Sequence, residues 1–169
     1  ILASQPLKCL LGHKRAVLAV AYSSDGHRVA TGSKDCTARI WDRSSAKEQL
    51  RLVGHTGFVT AVAFAPPDGG LMATGSADSA VRFWDSRSGD CLRVLNAHTG
   101  PILCVAFSPD GEWLASGSSD STVNVWETRT GQRSAVLKGH PQAVTGLAFR
   151  PDGQRLVTAA GGVDLHNVV

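Results

Sequence analysis

Long apolar runs are missing from this sequence. The longest, Ala16 to Tyr22, has seven residues, far short of the ~20 that a helix needs to cross a bilayer. Charged residues make up only 18 % and form no block of one sign, which excludes a self-repelling, extended tail. The net charge of +3 does not by itself mark a partner for polyanions. Cysteines are few and unpaired in spacing: Cys9, Cys36, Cys91 and Cys104 lie 27, 55 and 13 residues apart. Zinc clusters and thioredoxin-type redox sites need C-x-x-C pairs to bring two sulfurs to one centre, and none is present. In a chain able to build its own core, such thiols are expected to stay free in a reducing compartment, cytoplasmic or nuclear. No secretory leader is legible.

Glycine and apolar residues are what this chain has. It carries 18 glycines in 169 residues with 43 % apolar residues, against a usual glycine share of ~7 %. That supply of turns and core, at the length of one domain, points to an all-β chain.

An internal repeat sets the organisation. Gly12-His13, Gly54-His55, Ala97-His98 and Gly139-His140 place histidines 42, 43 and 42 residues apart. Asp-Gly turns at Asp25, Asp68, Asp110 and Asp152 keep the same step, as do Asp35, Asp78 and Asp120, and Trp41, Trp84 and Trp126. Within the first unit the pattern predicts strands over 17–22, 28–33, 37–42 and 50–53, separated by Ser24-Asp25-Gly26 and Lys34-Asp35-Cys36. Four short strands cannot cover both faces of their own sheet, so neighbouring units must stack.

A Gly-His pair, a gap of 27 or 28 residues and then Trp-Asp or Trp-Glu resembles the WD40 repeat, whose units are four-stranded antiparallel blades of a β-propeller. The spacing is complete in three units, ending at Trp41-Asp42, Trp84-Asp85 and Trp126-Glu127. It breaks down in the fourth, where Gly162 stands for the aspartate, Val168 for the tryptophan, and Asp164 falls two residues late. The resemblance implies about four blades. Residues 7–11 would be the last strand of a preceding blade. Blades follow over 16–53, 58–95 and 101–137, with an incomplete one over 143–169. A piece of a larger, seven-bladed ring is the leading expectation, with self-association or a small closed ring as alternatives.

Each unit brings histidine, hydroxyl and carboxylate together, the ingredients of a nucleophilic triad. The set recurs, however, and an enzyme needs one centre while a repeat needs one brace per unit. The resemblance implies a buried network from indole to hydroxyl to imidazole to carboxylate. Its members are His13, Thr31, Asp35 and Trp41; His55, Thr74, Asp78 and Trp84; and His98, Ser116, Asp120 and Trp126. Ser33, Ser76 and Ser118 are the alternative hydroxyls. Antiparallel pairing across the Asp35 turn favours the earlier member of each pair. No metal is expected, because His13, His55, His98 and His140 fall one per blade and His27 and His166 are singletons. No cofactor is expected either: the glycine-rich stretches lack the order of a phosphate loop.

The function implied is a non-catalytic scaffold that docks peptides or protein domains on its loops. By the resemblance, three positions per blade line the binding face. They are Ala16, Leu18 and Lys34 in the first, Phe58, Thr60 and Ala77 in the second, Pro101, Leu103 and Ser119 in the third, and Ala143 and Thr145 in the fourth. Phe58 is the sharpest candidate, since a rim aromatic is the type of residue that anchors a partner. The second reading is an RNA-contacting subunit of a ribonucleoprotein, working through Lys14, Arg15, Lys34 and Arg39 of the first blade. Trp113, ahead of the second strand of the third blade, is expected to pack rather than to stack on bases.

Overall fold

The computed structural model describes residues 8–161 of the chain. Fourteen strands and no helix occur among them. The first sheet runs β1 (Val17–Tyr22), β2 (Arg28–Ser33), β3 (Thr37–Asp42), β4 (Glu48–Val53). The second runs β5 (Val59–Phe64), β6 (Leu71–Ser76), β7 (Ala80–Asp85), β8 (Cys91–Asn96). The third is β9 (Ile102–Phe107), β10 (Trp113–Ser118), β11 (Val123–Glu127), β12 (Arg133–Leu137). A last pair, β13 (Val144–Phe149) and β14 (Leu156–Ala160), opens a fourth sheet. All pairings are antiparallel between sequence neighbours, as meanders joined by tight turns must be.

Two expectations shift. β4 starts at Glu48, two residues before the predicted strand, where Glu48 pairs with Trp41 past a ladder irregularity and its carboxylate meets Arg39 of β3 at 2.5 Å. Residues 8–11 belong to no strand; a strand exists only as one side of a ladder, and nothing among the described residues pairs with this segment. Leu7, Gly162, Asp164, His166 and Val168 lie outside the described residues, and so does any third strand of the fourth sheet.

Each sheet has two unlike faces. One carries the tryptophan, the other mostly alanine and aliphatic side chains, with Phe83 among them in the second sheet. Ala30, Ala38, Ile40 and Leu52 of the first sheet pack on Val62, Phe64, Met72 and Trp84 of the second. Ala73, Val81, Phe83 and Leu95 of the second meet Leu114 and Trp126 of the third in the same way. Ala115 and Val123 then meet Val144, Leu147, Phe149 and Leu156. The inner strands β1, β5, β9 and β13 lie side by side, and glycine makes that possible. A Cβ on Gly32 would sit 2.8 Å from Val59 Cγ1, and one on Gly117 would sit 2.7 Å from Val144 Cγ1.

The first sheet lacks such a neighbour among the described residues. Val20 and Tyr22 occupy the repeat positions of Val62 and Phe64, yet they are 66 % and 63 % exposed against 8 % for each of the latter. Burial of one such side chain contributes roughly 1.5–3 kcal/mol, so the first sheet leaves uncovered an apolar face that its neighbour in the stack buries.

Candidate functional site

Strand direction sorts the loops onto two ends. The segment before β1 and the β2–β3, β4–β5, β6–β7, β8–β9, β10–β11 and β12–β13 loops share one end, here called the top. The Asp-Gly turns and the β3–β4, β7–β8 and β11–β12 turns share the other.

A polar clasp holds the top of each complete sheet. Trp41 Nε1 donates to Thr31 Oγ1 at 2.8 Å, Thr31 Oγ1 lies 2.7 Å from His13 Nε2, and His13 Nδ1 lies 2.8 Å from Asp35 Oδ2. The second sheet repeats this with Trp84, Thr74, His55 and Asp78 at 2.8, 2.7 and 2.8 Å. The third does so with Trp126, Ser116, His98 and Asp120, each step 2.9 Å. One proton arrangement satisfies the run from indole to carboxylate. The hydroxyl accepts from indole and donates to Nε2, and the neutral imidazole donates from Nδ1 to the carboxylate. Ser33, Ser76 and Ser118 do a different job. Each Oγ accepts the backbone N–H of the bracing aspartate at 3.1 Å, and those of Ser33 and Ser118 also donate to the Arg15 and Gly100 carbonyls. In the fourth unit His140 Nε2 meets Thr158 Oγ1 at 2.7 Å.

Charge in the clasp is compensated locally. Burial raises the Asp35 carboxyl, but hydrogen bonds from Thr37, His13 and the Lys14 amide outweigh it and hold the pKa far below the usual range. Burial likewise opposes the ionised Asp120, and Thr122, the Thr99 amide and His98 bring it to about 2. Burial pushes the His55 pKa down against the pull of Asp78, which suits a neutral donor. Thr74 and Ser116 are fully buried between indole and imidazole. A hydroxyl so placed can brace but has no path to a substrate. No three His, Cys, Asp or Glu side chains gather to hold a metal among the described residues.

Above the clasps, backbone bonds build a regular rim. Lys34 N donates to Ala16 O, Ala77 N to Phe58 O and Ser119 N to Pro101 O, each at 2.9 Å; Gly161 N reaches Ala143 O at 3.2 Å. Ala16, Leu18, Lys34, Pro101, Ser119 and Thr145 are exposed, while Ala77, Leu103 and Ala143 are half-buried. Phe58 is 39 % exposed, and Lys34 Nζ of the neighbouring sheet stands 5.8 Å from its ring centroid. Thr60 differs from its neighbours: its Oγ1 donates to Ile102 O of the next sheet at 2.5 Å, so it joins sheets.

Two sequence expectations need correcting. Arg39 is 1 % exposed and belongs to no solvated basic face. Strand alternation puts it on the tryptophan side, where it pairs with Glu48 at 2.5 Å and Asp35 at 3.6 Å. Trp113 does not precede a strand but begins β10, half-buried and paired with Glu127. Sequence reading also passed over a correlated pair. Two residues before each tryptophan stand Arg39, Arg82 and Asn124, and the residues before the clasp histidines are Gly12, Gly54 and Ala97. A Cβ on Gly12 would press on Arg39 Nη1 and on Trp41 at 3.0 Å, and one on Gly54 would meet Arg82 Nη1 and Trp84 at 3.2 Å. Where the arginine is replaced by asparagine, alanine is found. Laying the repeats over one another would have shown this.

The bottom end has a cleft of about 620 Å³ lined by Asp25, Arg28, Gln49, Leu50, Asp68, Ser86 and Arg87. Its Arg28 is already engaged between sheets.

The family model for the WD domain, G-beta repeat, matches residues 4–42, 46–85, 89–127 and 131–164. The chain belongs to the WD40 repeat family. Its sheets are the four-stranded units that this family builds into propeller blades. Among known WD40-type relatives, ribosome assembly protein 4 of Chaetomium thermophilum is 45 % identical over 56 residues, 32 % of this chain and 11 % of that protein. THO complex subunit 3 of Arabidopsis thaliana is 45 % identical over 60 residues, 32 % of this chain and 19 % of that protein. The U3 snoRNP-associated protein-like EMB2271 of the same plant is 38 % identical over 52 residues, 31 % of this chain and 11 % of that protein. These matches thus span less than a fifth of each relative's length.

Proposed function

We propose that this chain is a non-catalytic scaffold that presents its top-end loops to peptide or domain partners inside a multiprotein complex. The observation that supports this most is the rim itself: side chains that differ from repeat to repeat, standing on backbone pairs above a clasp in each complete sheet. Rigid support under variable loops is what recognition by loops needs. Candidate contact residues are Leu18, Lys34, Phe58, Ala77, Leu103 and Ser119; Thr60 contributes by fixing the loop next to Phe58. The relatives include, by name, a subunit of a complex, a ribosome assembly protein and a protein associated with a ribonucleoprotein, a setting that suits a scaffold.

The bare face of the first sheet accepts the alanine- and leucine-rich face of another blade, from further blades of a larger ring or from a second copy. RNA contact through the first sheet is the weaker reading, since Arg39 is buried and the proposed basic cluster is reduced to Lys14, Arg15 and Lys34. The four cysteines are free thiols, in keeping with an intracellular, reducing setting.

The test is capture with the full chain, comparing Phe58→Ala with Arg87→Ala at the bottom end. Partners lost with the first and kept with the second support the reading. A captured set indifferent to Phe58 overturns it.

A further inference from the structure

We propose that the top surface spanning the first two sheets takes one chemical class of partner: an acidic segment carrying an apolar side chain, seated on Lys34 and Phe58. This rests on the scaffold reading above and goes beyond it by naming what is bound and where.

Charge is distributed unevenly between the two ends of the stack. Among the described residues, the only acids in the top-end loops are Asp35, Asp78 and Asp120. All three are spent in clasps, each lying within 2.9 Å of an imidazole nitrogen and accepting a backbone amide. Asp25, Asp68, Asp90, Asp110, Glu112 and Asp152 sit in bottom-end turns, with Asp42, Asp85 and Glu127 at strand ends beside them. The top therefore shows cations without free counter-charges, whereas the bottom mixes its acids with Arg43, Lys47, Arg87, Arg129, Arg150 and Arg155, two of them in ion pairs with Asp68 and Asp152.

Lys14, Arg15 and Lys34 stand together at the top, with Lys138 apart from them in the β12–β13 loop. Lys14 N donates to Asp35 Oδ2 at 3.0 Å, and Lys34 N donates to Ala16 O at 2.9 Å. These two bonds lash the segment bearing Lys14 and Arg15 to the turn bearing Lys34, and all three side chains are on exposed residues. At the same positions the second repeat has Thr56, Gly57 and Ala77, and the third has Thr99, Gly100 and Ser119. The clasp works equally well with neutral residues there, so the scaffold does not call for the charges of the first repeat.

Phe58 supplies the apolar half. Lys34 Nζ lies 5.8 Å from its ring centroid, an exposed cation–π pair too weak to explain by itself why a large ring stays in water. The pair crosses from one sheet to the next, so both groups address one ligand. A carboxylate gains Lys34 without displacing it from the ring, and an adjacent aliphatic or aromatic side chain covers the remaining face of Phe58. Phosphate groups of RNA would meet the same charges. A ring already topped by an ammonium, and no second exposed aromatic beside it, make a poor stacking platform, and the peptide is favoured.

The experiment is fluorescence anisotropy on the full chain. Three labelled synthetic peptides share a Leu-Phe centre flanked by Asp and Glu, by Ser and Gln, or by Lys and Arg; an oligouridylate is the fourth probe. The acidic peptide should bind about tenfold or more tightly than the neutral one, and weaken several-fold as salt rises from about 50 to about 300 mM. Lys34→Glu and Phe58→Ala should each cost about tenfold, and Lys47→Glu at the bottom end should change nothing. Unchanged thermal unfolding of each variant shows that the fold is kept. Equal binding of acidic and basic peptides overturns the proposal, and so does oligouridylate binding that exceeds the acidic peptide's and is lost with Lys34→Glu. A random peptide display selection separates this failure from that of the scaffold reading. Acid-poor binders that need Phe58 but not Lys34 overturn only the acidic assignment. Binders indifferent to every top-end substitution overturn both.

Discussion

The Arg28 guanidinium of the first sheet donates at 2.9 Å to Ser86 Oγ of the second, 58 residues along the chain. It also donates at 3.0 Å to the Ser86 carbonyl and at 3.0 Å to that of Gly69, and lies 5.3 Å over the Phe64 ring. One side chain thus ties two repeats together at the bottom end, opposite the clasps. Arg28→Met keeps the stem over Phe64 and removes the bonds. It should lower the unfolding free energy by about 2 kcal/mol, and Ser86→Ala by about 1 kcal/mol, since hydrogen bonds from a charged donor are worth more than neutral ones. Urea unfolding monitored by tryptophan fluorescence reads both; coincident curves for Arg28→Met and the parent would remove Arg28 from the docking of the sheets.

The clasp makes stability depend on pH in a defined direction. Asp120 ionises at about 2 when folded against an ordinary 3.8, so the folded state holds fewer protons between those values. Its contribution is complete above about pH 4 and is lost as pH falls through about 2. His55 is depressed by burial from 6.5, so the unfolded chain takes up its proton first and stability declines as pH drops below about 6.5. Denaturant titrations should show both declines. Asp120→Asn should be less stable at neutral pH and should flatten the acid branch; an unaltered acid branch would contradict the role given to Asp120.

Gly12 and Arg39 should be energetically coupled. Gly12→Ala puts a methyl against the guanidinium and the Trp41 ring and should destabilise by about 1–3 kcal/mol. Arg39→Asn reproduces the natural combination of the third repeat, Ala97 with Asn124. In a double-mutant cycle the second change should relieve much of the cost of the first. Strict additivity would mean that the correlation between repeats is accidental.

Asn124 is buried with neither Oδ1 nor Nδ2 hydrogen-bonded. An unsatisfied amide in such a place is a standing penalty. Asn124→Val should therefore raise the unfolding free energy by about 1 kcal/mol, measurable as a higher melting temperature. A lower one would show that the amide has a partner in solution.

Much of this molecule could be read from its repeats. The strands over 17–22, 28–33 and 37–42 fall where alternation and the Asp-Gly turns put them, because period-2 patterning and turn chemistry are local. The clasp residues recur in three units, but it was the resemblance to the WD40 repeat that implied they form one network. Arg39 and Thr60 were not legible in the same way. A charged residue in a strand reads as solvated until an ion pair across the ladder is seen, and a rim threonine reads as free until the next sheet's carbonyl is beside it. Nor does any local pattern announce that Arg28 reaches Ser86, since that bond exists only once two sheets are stacked.

The order of residues along the chain by itself determined the kind of unit, its period and its internal brace, because those rest on contacts within about forty residues. What faces what was decided only by the stacking of the sheets. Val20 and Val62 are the same residue at the same place in two repeats, yet one is open to water and the other is closed off. The physical reason is that burial belongs to the neighbour as much as to the residue. Lys34 and Phe58, distant in sequence, likewise became one surface only when two units were laid side by side.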